Sequence, residues 1–81
     1  MNVRVRLFAV AKQAAGRDVV EVELPPGAAI GQLRSRLAEE IPELAELFAR
    51  AMFAIDAEYA TDAAEIPPGA EVACIPPVSG G

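Results

Sequence analysis

The residues that could do chemistry stand together at one end of the chain: Ile75-Pro76-Pro77-Val78-Ser79-Gly80-Gly81. A strand-like run, Glu71 to Ile75, meets two prolines there. Proline lacks the N–H that a central ladder needs, so the pair ends the strand and projects the chain from the body. Val78 can still dock on a surface, while Ser79, Gly80 and Gly81 add almost no bulk. Extended, Pro76 to Gly81 span roughly 20 Å. Read with Gly81 as the terminus, this is a probe with a carboxylate at its tip. Glycine has no Cβ, so a Gly-Gly tip can enter a narrow channel that any side chain would block. A free carboxylate is a poor electrophile. Converted by another protein to an acyl-adenylate, it can be attacked by sulfur or by an amine. The bland alternative is an end that simply frays.

Little else in the 81 residues competes for a chemical role. Histidine is absent and there is one cysteine. Neither a metal site nor a nucleophile–base pair can be assembled from what is left, and no bound cofactor is expected. Cys74 lies in an apolar run and reads as a small buried hydrophobe more than as a reactive thiol. The net charge of −5 argues against nucleic acid and suits a partner with a basic docking face or pocket. No positive segment precedes an apolar run, and no stretch is long enough to span a bilayer. The expectation is a cytoplasmic chain without membrane contact.

The elements that must position the tail follow from periodicity. In Asn2 to Phe8, Val3, Val5 and Leu7 face one way and Arg4, Arg6 and Phe8 the other, the alternation of a half-buried strand. Phe8 either packs at the sheet edge or is exposed for a partner. Ala9 to Ala15 favours helix, and Gly16 is a natural stop. Lys12 on that helix reads as a solvated charge. Val19 to Leu24 alternates as a second strand, ended by Pro25-Pro26-Gly27. Ile30, Leu33, Leu37 and Ile41 share one helical face, with Arg34, Arg36, Glu39 and Glu40 on the solvent side. Pro42 stops or kinks that helix. Leu44, Leu47, Phe48 and Ala51 mark a second short helix. Phe53 to Ile55 reads as a strand, and Asp56 to Thr61 as turn residues. Tyr59 among them is either a packed ring or a docking contact. Pro67-Pro68-Gly69 makes another turn before the final strand, Glu71 to Ile75, in which Val72 and Cys74 face the helix and Ala73 and Ile75 the other side.

At the tail a resemblance becomes plain. Glu71 to Gly81, ending Pro-Pro-Val-Ser-Gly-Gly, resembles the C-terminal signature of the molybdopterin synthase small subunit family, a set of ubiquitin-like sulfur carriers. Upstream, Val5 to Ala9 with Gly16 resembles the family's first strand and turn. Ala54-Ile55-Asp56 stands where the family usually has Ala-Val-Asn, and Pro68-Gly69-Ala70-Glu71-Val72 where it has a turn such as Asp-Gly-Asp-Glu-Val. Lys12-Gln13 departs from the family's Arg-Glu pair.

The order strand, strand, helix, strand, strand is an α+β arrangement with a mixed sheet, one main helix on one face and short additional helices. Together with the resemblance it implies a β-grasp, or ubiquitin-like, domain over residues 1–75 and a flexible reactive tail over 76–81. Phe8, Tyr59 and Ile75 are the candidate partner interface. Pro76, Pro77, Val78, Ser79 and Gly80 are the candidate channel-entering segment, and Gly81 is the candidate reactive group.

The resemblance further implies that a partner adenylating enzyme uses ATP to activate the Gly81 carboxylate. Sulfur then replaces an oxygen to give a thiocarboxylate. The tail would deliver that sulfur inside the large subunit of molybdopterin synthase. The chain would be a sulfur-donating, non-catalytic subunit. Related carriers serving thiamine or cysteine biosynthesis, a ubiquitin-like modifier joined to lysines, and an inert binding module remain as alternatives.

Overall fold

The computed structural model describes residues 1–77. Strand β1 (Asn2–Leu7) buries Val3, Val5 and Leu7 and exposes the residues between them. It pairs antiparallel with β2 (Val19–Glu23), and the short helix α1 (Ala9–Ala15) sits between the two strands in sequence. Gly16 closes α1 at φ 75°, the left-handed conformation that glycine adopts without a Cβ clash, and its N–H donates to the Lys12 carbonyl at 3.0 Å. Helix α2 (Ile30–Glu40) lays Ile30, Leu33 and Leu37 on the sheet. Its first amides are held by the loop before the last strand: Ile30 N–H donates to Ala64 O and Gly31 N–H to Asp62 O, each at 2.9 Å. The Gln32 Oε1 accepts the Ala29 N–H at 2.9 Å, the N3 half of a capping box, while alanine at the cap has no side-chain acceptor for the other half. A 3-10 turn (Pro42–Leu44) leads into α3 (Ala45–Arg50), which buries Phe48.

The chain then returns through β3 (Met52–Ile55), β4 (Glu58–Ala60) and β5 (Val72–Ile75). Among the described residues the sheet is five-stranded, ordered β2-β1-β5-β3-β4, with β1 and β5 parallel and adjacent near its middle. A parallel neighbour needs a long crossover, and everything from β2 to β4 supplies it. The core lies between the sheet and the helices. Phe48, Phe53, Leu7, Ile30, Leu33, Leu37, Ile66, Val5 and Val72 are its largest fully buried members. The α+β architecture, the mixed sheet and the main helix on one face match the sequence-based expectation.

Three expectations need correction. The segment read as turn residues contains a strand, β4, so the sheet has five strands where four were expected. Asp56 and Ala57, at φ 48° and 71°, form a two-residue turn with both central residues left-handed, which lets Ile55 face Glu58 across a hairpin. Arg34 is not on the solvent side. Its Nη1 donates to the carbonyls of Phe48 and Ala51 at 2.7 Å, and its Nη2 to Asp62 Oδ1 at 2.8 Å. The guanidinium thereby caps orphan carbonyls at the end of α3, and it lies 4.9 Å from the centre of the Phe53 ring. Finally, Pro76, assigned from sequence to the tail, is buried, and Pro77 is the first exposed residue after β5.

Candidate functional site: the tail root and the open sheet face

The helices cover one face of the sheet and leave the other open. On β5 the alternation holds as expected: Val72 and Cys74 are fully buried, while Ala73 and Ile75 face the open side and are half-buried. Antiparallel register sets Met52 of β3 opposite Ile75, and Ala54 opposite both Ala73 and Tyr59. On the other flank, Leu7 pairs with Cys74 in parallel, so β1 and β5 run out at the same end of the sheet. Phe8 stands at that end, still extended at φ −123° and ψ 155°, before Ala9 at φ 52° turns the chain into α1.

An apolar surface results at the end from which the tail departs. Phe8 is 42% exposed and Met52 53%, with Ile75 between them; Tyr59, 68% exposed on the same face, lies one step back from that end, opposite Ala54. Exposed apolar side chains on one sheet face make that face the candidate docking surface. The β1–β2 half of the same face is charged, with Arg4 and Glu21 paired at 3.5 Å and Arg6 beside Ala73 in register. An apolar centre with a charged rim is the usual anatomy of a protein interface. The structure thus gathers Phe8, Ile75 and Tyr59 on one face. Sequence reading missed Met52, although Phe53 facing the core requires Met52 to face away.

The root of the tail is set by packing. Cys74 anchors β5 in the core, and Pro76 continues that burial one residue past the strand. Beside the prolines, on the helical side, lies a groove of about 210 Å³ lined by Val10, Glu46, Leu47, Arg50, Pro76 and Pro77. Val78, Ser79, Gly80 and Gly81 lie outside the described residues.

Burial pushes the Cys74 thiol up to about 11, with the Arg34 charge partly opposing the shift, so the group is a thiol at neutral pH. Among the described residues no group of three or more His, Cys, Asp or Glu side chains can hold a metal ion. Asp56 holds the backbone together: its Oδ1 accepts the Glu71 N–H at 3.0 Å, tying the β3–β4 hairpin to the start of β5. No helix among the described residues is long and apolar enough to cross a membrane.

The comparisons with known proteins bear on the family and the fold. The model of the ThiS family matches residues 5–81. A molybdopterin synthase sulfur carrier subunit of Caenorhabditis briggsae is 36% identical over 83 residues, covering 100% of this chain and 99% of that protein. Its counterpart in Arabidopsis thaliana is 32% identical over 81 residues, covering 100% of this chain and 84% of that protein. The crystal structure of small archaeal modifier protein 1 from Haloferax volcanii is similar at a TM-score of 0.80. It is 26% identical and covers 95% of this chain and 98% of that one.

Proposed function

Because this chain belongs to the ThiS family and, along its whole length, to the molybdopterin synthase sulfur carrier subunits, we propose that it carries sulfur on its Gly81 carboxylate for molybdenum cofactor biosynthesis. The observation that carries the reading is the kinship to named sulfur carriers, which runs through residue 81. The geometry is compatible with it: a parallel central pair and a buried proline root the tail, and an apolar face stands beside the root.

The chemistry divides between this chain and two partners. An adenylating enzyme binds ATP, a Gly81 carboxylate oxygen attacks the α-phosphorus, and pyrophosphate leaves. Hydrosulfide from the sulfur donor then attacks the acyl carbon, AMP leaves with the former carboxylate oxygen, and the S–H proton is lost to solvent. The resulting thiocarboxylate keeps sulfur as a good nucleophile. The large subunit of molybdopterin synthase receives the tail and supplies the catalytic residues for transfer. This chain supplies reach, slimness and docking through Phe8, Met52, Tyr59 and Ile75, and it acts in the cytoplasm with its partners. It needs no bound cofactor, since ATP stays with the activating enzyme.

The test is the intact mass of the chain after incubation with its activating enzyme, ATP and a sulfur donor. The mass is expected to rise by the difference between sulfur and oxygen, with the change mapping to Gly81. Deletion of Gly81, or one residue appended after it, should abolish synthase turnover without moving the melting temperature. An unchanged mass with a competent enzyme, or full activity of an untrimmed extended chain, would overturn the reading. The likeness to a small archaeal modifier favours a second use of the same tail, isopeptide bond formation with lysines. Lysine-linked adducts appearing in place of the thiocarboxylate would favour that reading.

A further inference from the structure

We propose that the groove on the helical side of the tail root is a second docking contact. Its occupant is an aliphatic side chain on the mouth of the partner channel that receives the tail, flanked by an acid facing Arg50 and a base facing Glu46. This rests on the carrier reading and adds a surface to it.

The first argument is steric. Val78 to Gly81 can span at most about 14 Å. A carboxylate on so short a stem reaches groups inside a partner only if the channel mouth comes down onto the prolines. The mouth then touches whatever surrounds Pro76 and Pro77. On the sheet side that is Phe8, Met52 and Ile75. On the other side it is the groove, of about 210 Å³, in which Val10 and Leu47 stand beside the prolines.

The groove has the composition of a contact. Val10 is 49% exposed, and the side chain of α1 that is buried is Ala11. Glu46 and Arg50 are four residues apart on α3, a spacing at which opposite charges commonly pair. Neither takes part in an ion pair among the described residues. Both charges are therefore open to opposite charges across an interface, where such pairs fix orientation more than they add affinity. A partner held on both sides of the root cannot pivot about the sheet face. That constraint aims a short tail along one line.

The experiment measures binding of the full chain to the large subunit of its own molybdopterin synthase by calorimetry, beside the melting temperature of each variant. Val10→Asp is expected to weaken binding at least tenfold, and Val10→Leu to retain it. Arg50→Glu is expected to weaken binding several-fold and to flatten its salt dependence. Val10 is exposed, so its melts should stay in place; Arg50→Glu sets a like charge four residues from Glu46 and is expected to lower the melt by a few degrees, far too little to unfold the chain. If Val10→Asp and Arg50→Glu bind as the unsubstituted chain does while Met52→Asp weakens binding, the partner docks from the sheet side alone. The second contact is then overturned and the carrier reading stands. If the unsubstituted chain neither binds the large subunit nor gains sulfur, both fall.

Discussion

Met52 and Phe53 are neighbours on β3, and they mark the two faces of one sheet. Phe53 is fully buried beneath the helices, with Arg34 over its ring; Met52 is 53% exposed on the open side. The covered face is closed by long side chains from α2 and α3. The open face carries apolar side chains of similar size, and no described residue of this chain covers them. Side-chain chemistry does not separate the two sets. What separates them is whether a helix lies across the strand. An apolar residue on the first face stabilises the fold, while one on the second is available to a partner.

The largest expected effect compares those two neighbours directly. Phe53→Ala should lower stability by about 3–5 kcal/mol through lost burial and a cavity. Met52→Ala should change it by less than about 0.5 kcal/mol, as exposed sites usually do, while weakening the complex with the large subunit. Urea melts and calorimetry check both. A large loss of stability on truncating Met52 would place it in the core and remove the distinction between the faces.

Next in size is a contrast between two arginines of α2. Arg34 lies inward, 22% exposed, and ties Phe48, Ala51 and Asp62 together. Among the described residues, Arg36 reaches the exposed Glu39 and Glu40, at 3.9 and 3.6 Å. Arg34→Met should cost about 2–3 kcal/mol, because the end of α3 loses its charged cap. Exposed pairs contribute little, so Arg36→Met should cost less than about 0.5 kcal/mol. Equal effects in denaturant melts would mean that the inward arginine is no more than a surface charge.

The dryness of the covered face can be probed through Cys74. Its folded thiol titrates near 11, above the ordinary value of 9.0. Below pH 9 both states keep the proton and the stability is fully present. As pH rises from there the unfolded chain loses the proton first, so stability falls until the folded thiol also ionises near pH 11. Melts across that window should decline more steeply for the unsubstituted chain than for Cys74→Ala. Parallel profiles would show that water reaches the thiol.

The smallest effect concerns the hairpin that presents Tyr59 on the open face. Ala57 adopts φ 71°, a conformation disfavoured for a residue with a Cβ. Ala57→Gly should stabilise the domain by about 0.5–1 kcal/mol, net of the added freedom of the unfolded chain. A lower melting temperature would mean that the hairpin gains nothing from relief at that position.

The sequence alone determined the elements whose evidence is local. Val3, Val5 and Leu7 announce β1 because a strand repeats every two residues, and Ile30, Leu33 and Leu37 announce α2 because a helix repeats every 3.6. Gly16 and the Pro-Pro pairs end elements through their own backbone chemistry, and Pro-Pro-Val-Ser-Gly-Gly carries its meaning in linear order. The tertiary structure alone decided the rest. Glu58 to Ala60 is too short to show a period, and becomes a strand only because β3 lies across a tight turn from it. Arg34 has the polarity of a surface residue, yet the carbonyls ending α3, more than a dozen residues away, draw it inward. Pro76 lacks an N–H for any ladder but has an apolar ring, and the neighbouring helices supply somewhere to bury it. Each of these depends on groups distant in sequence, and no local pattern encodes which distant group arrives.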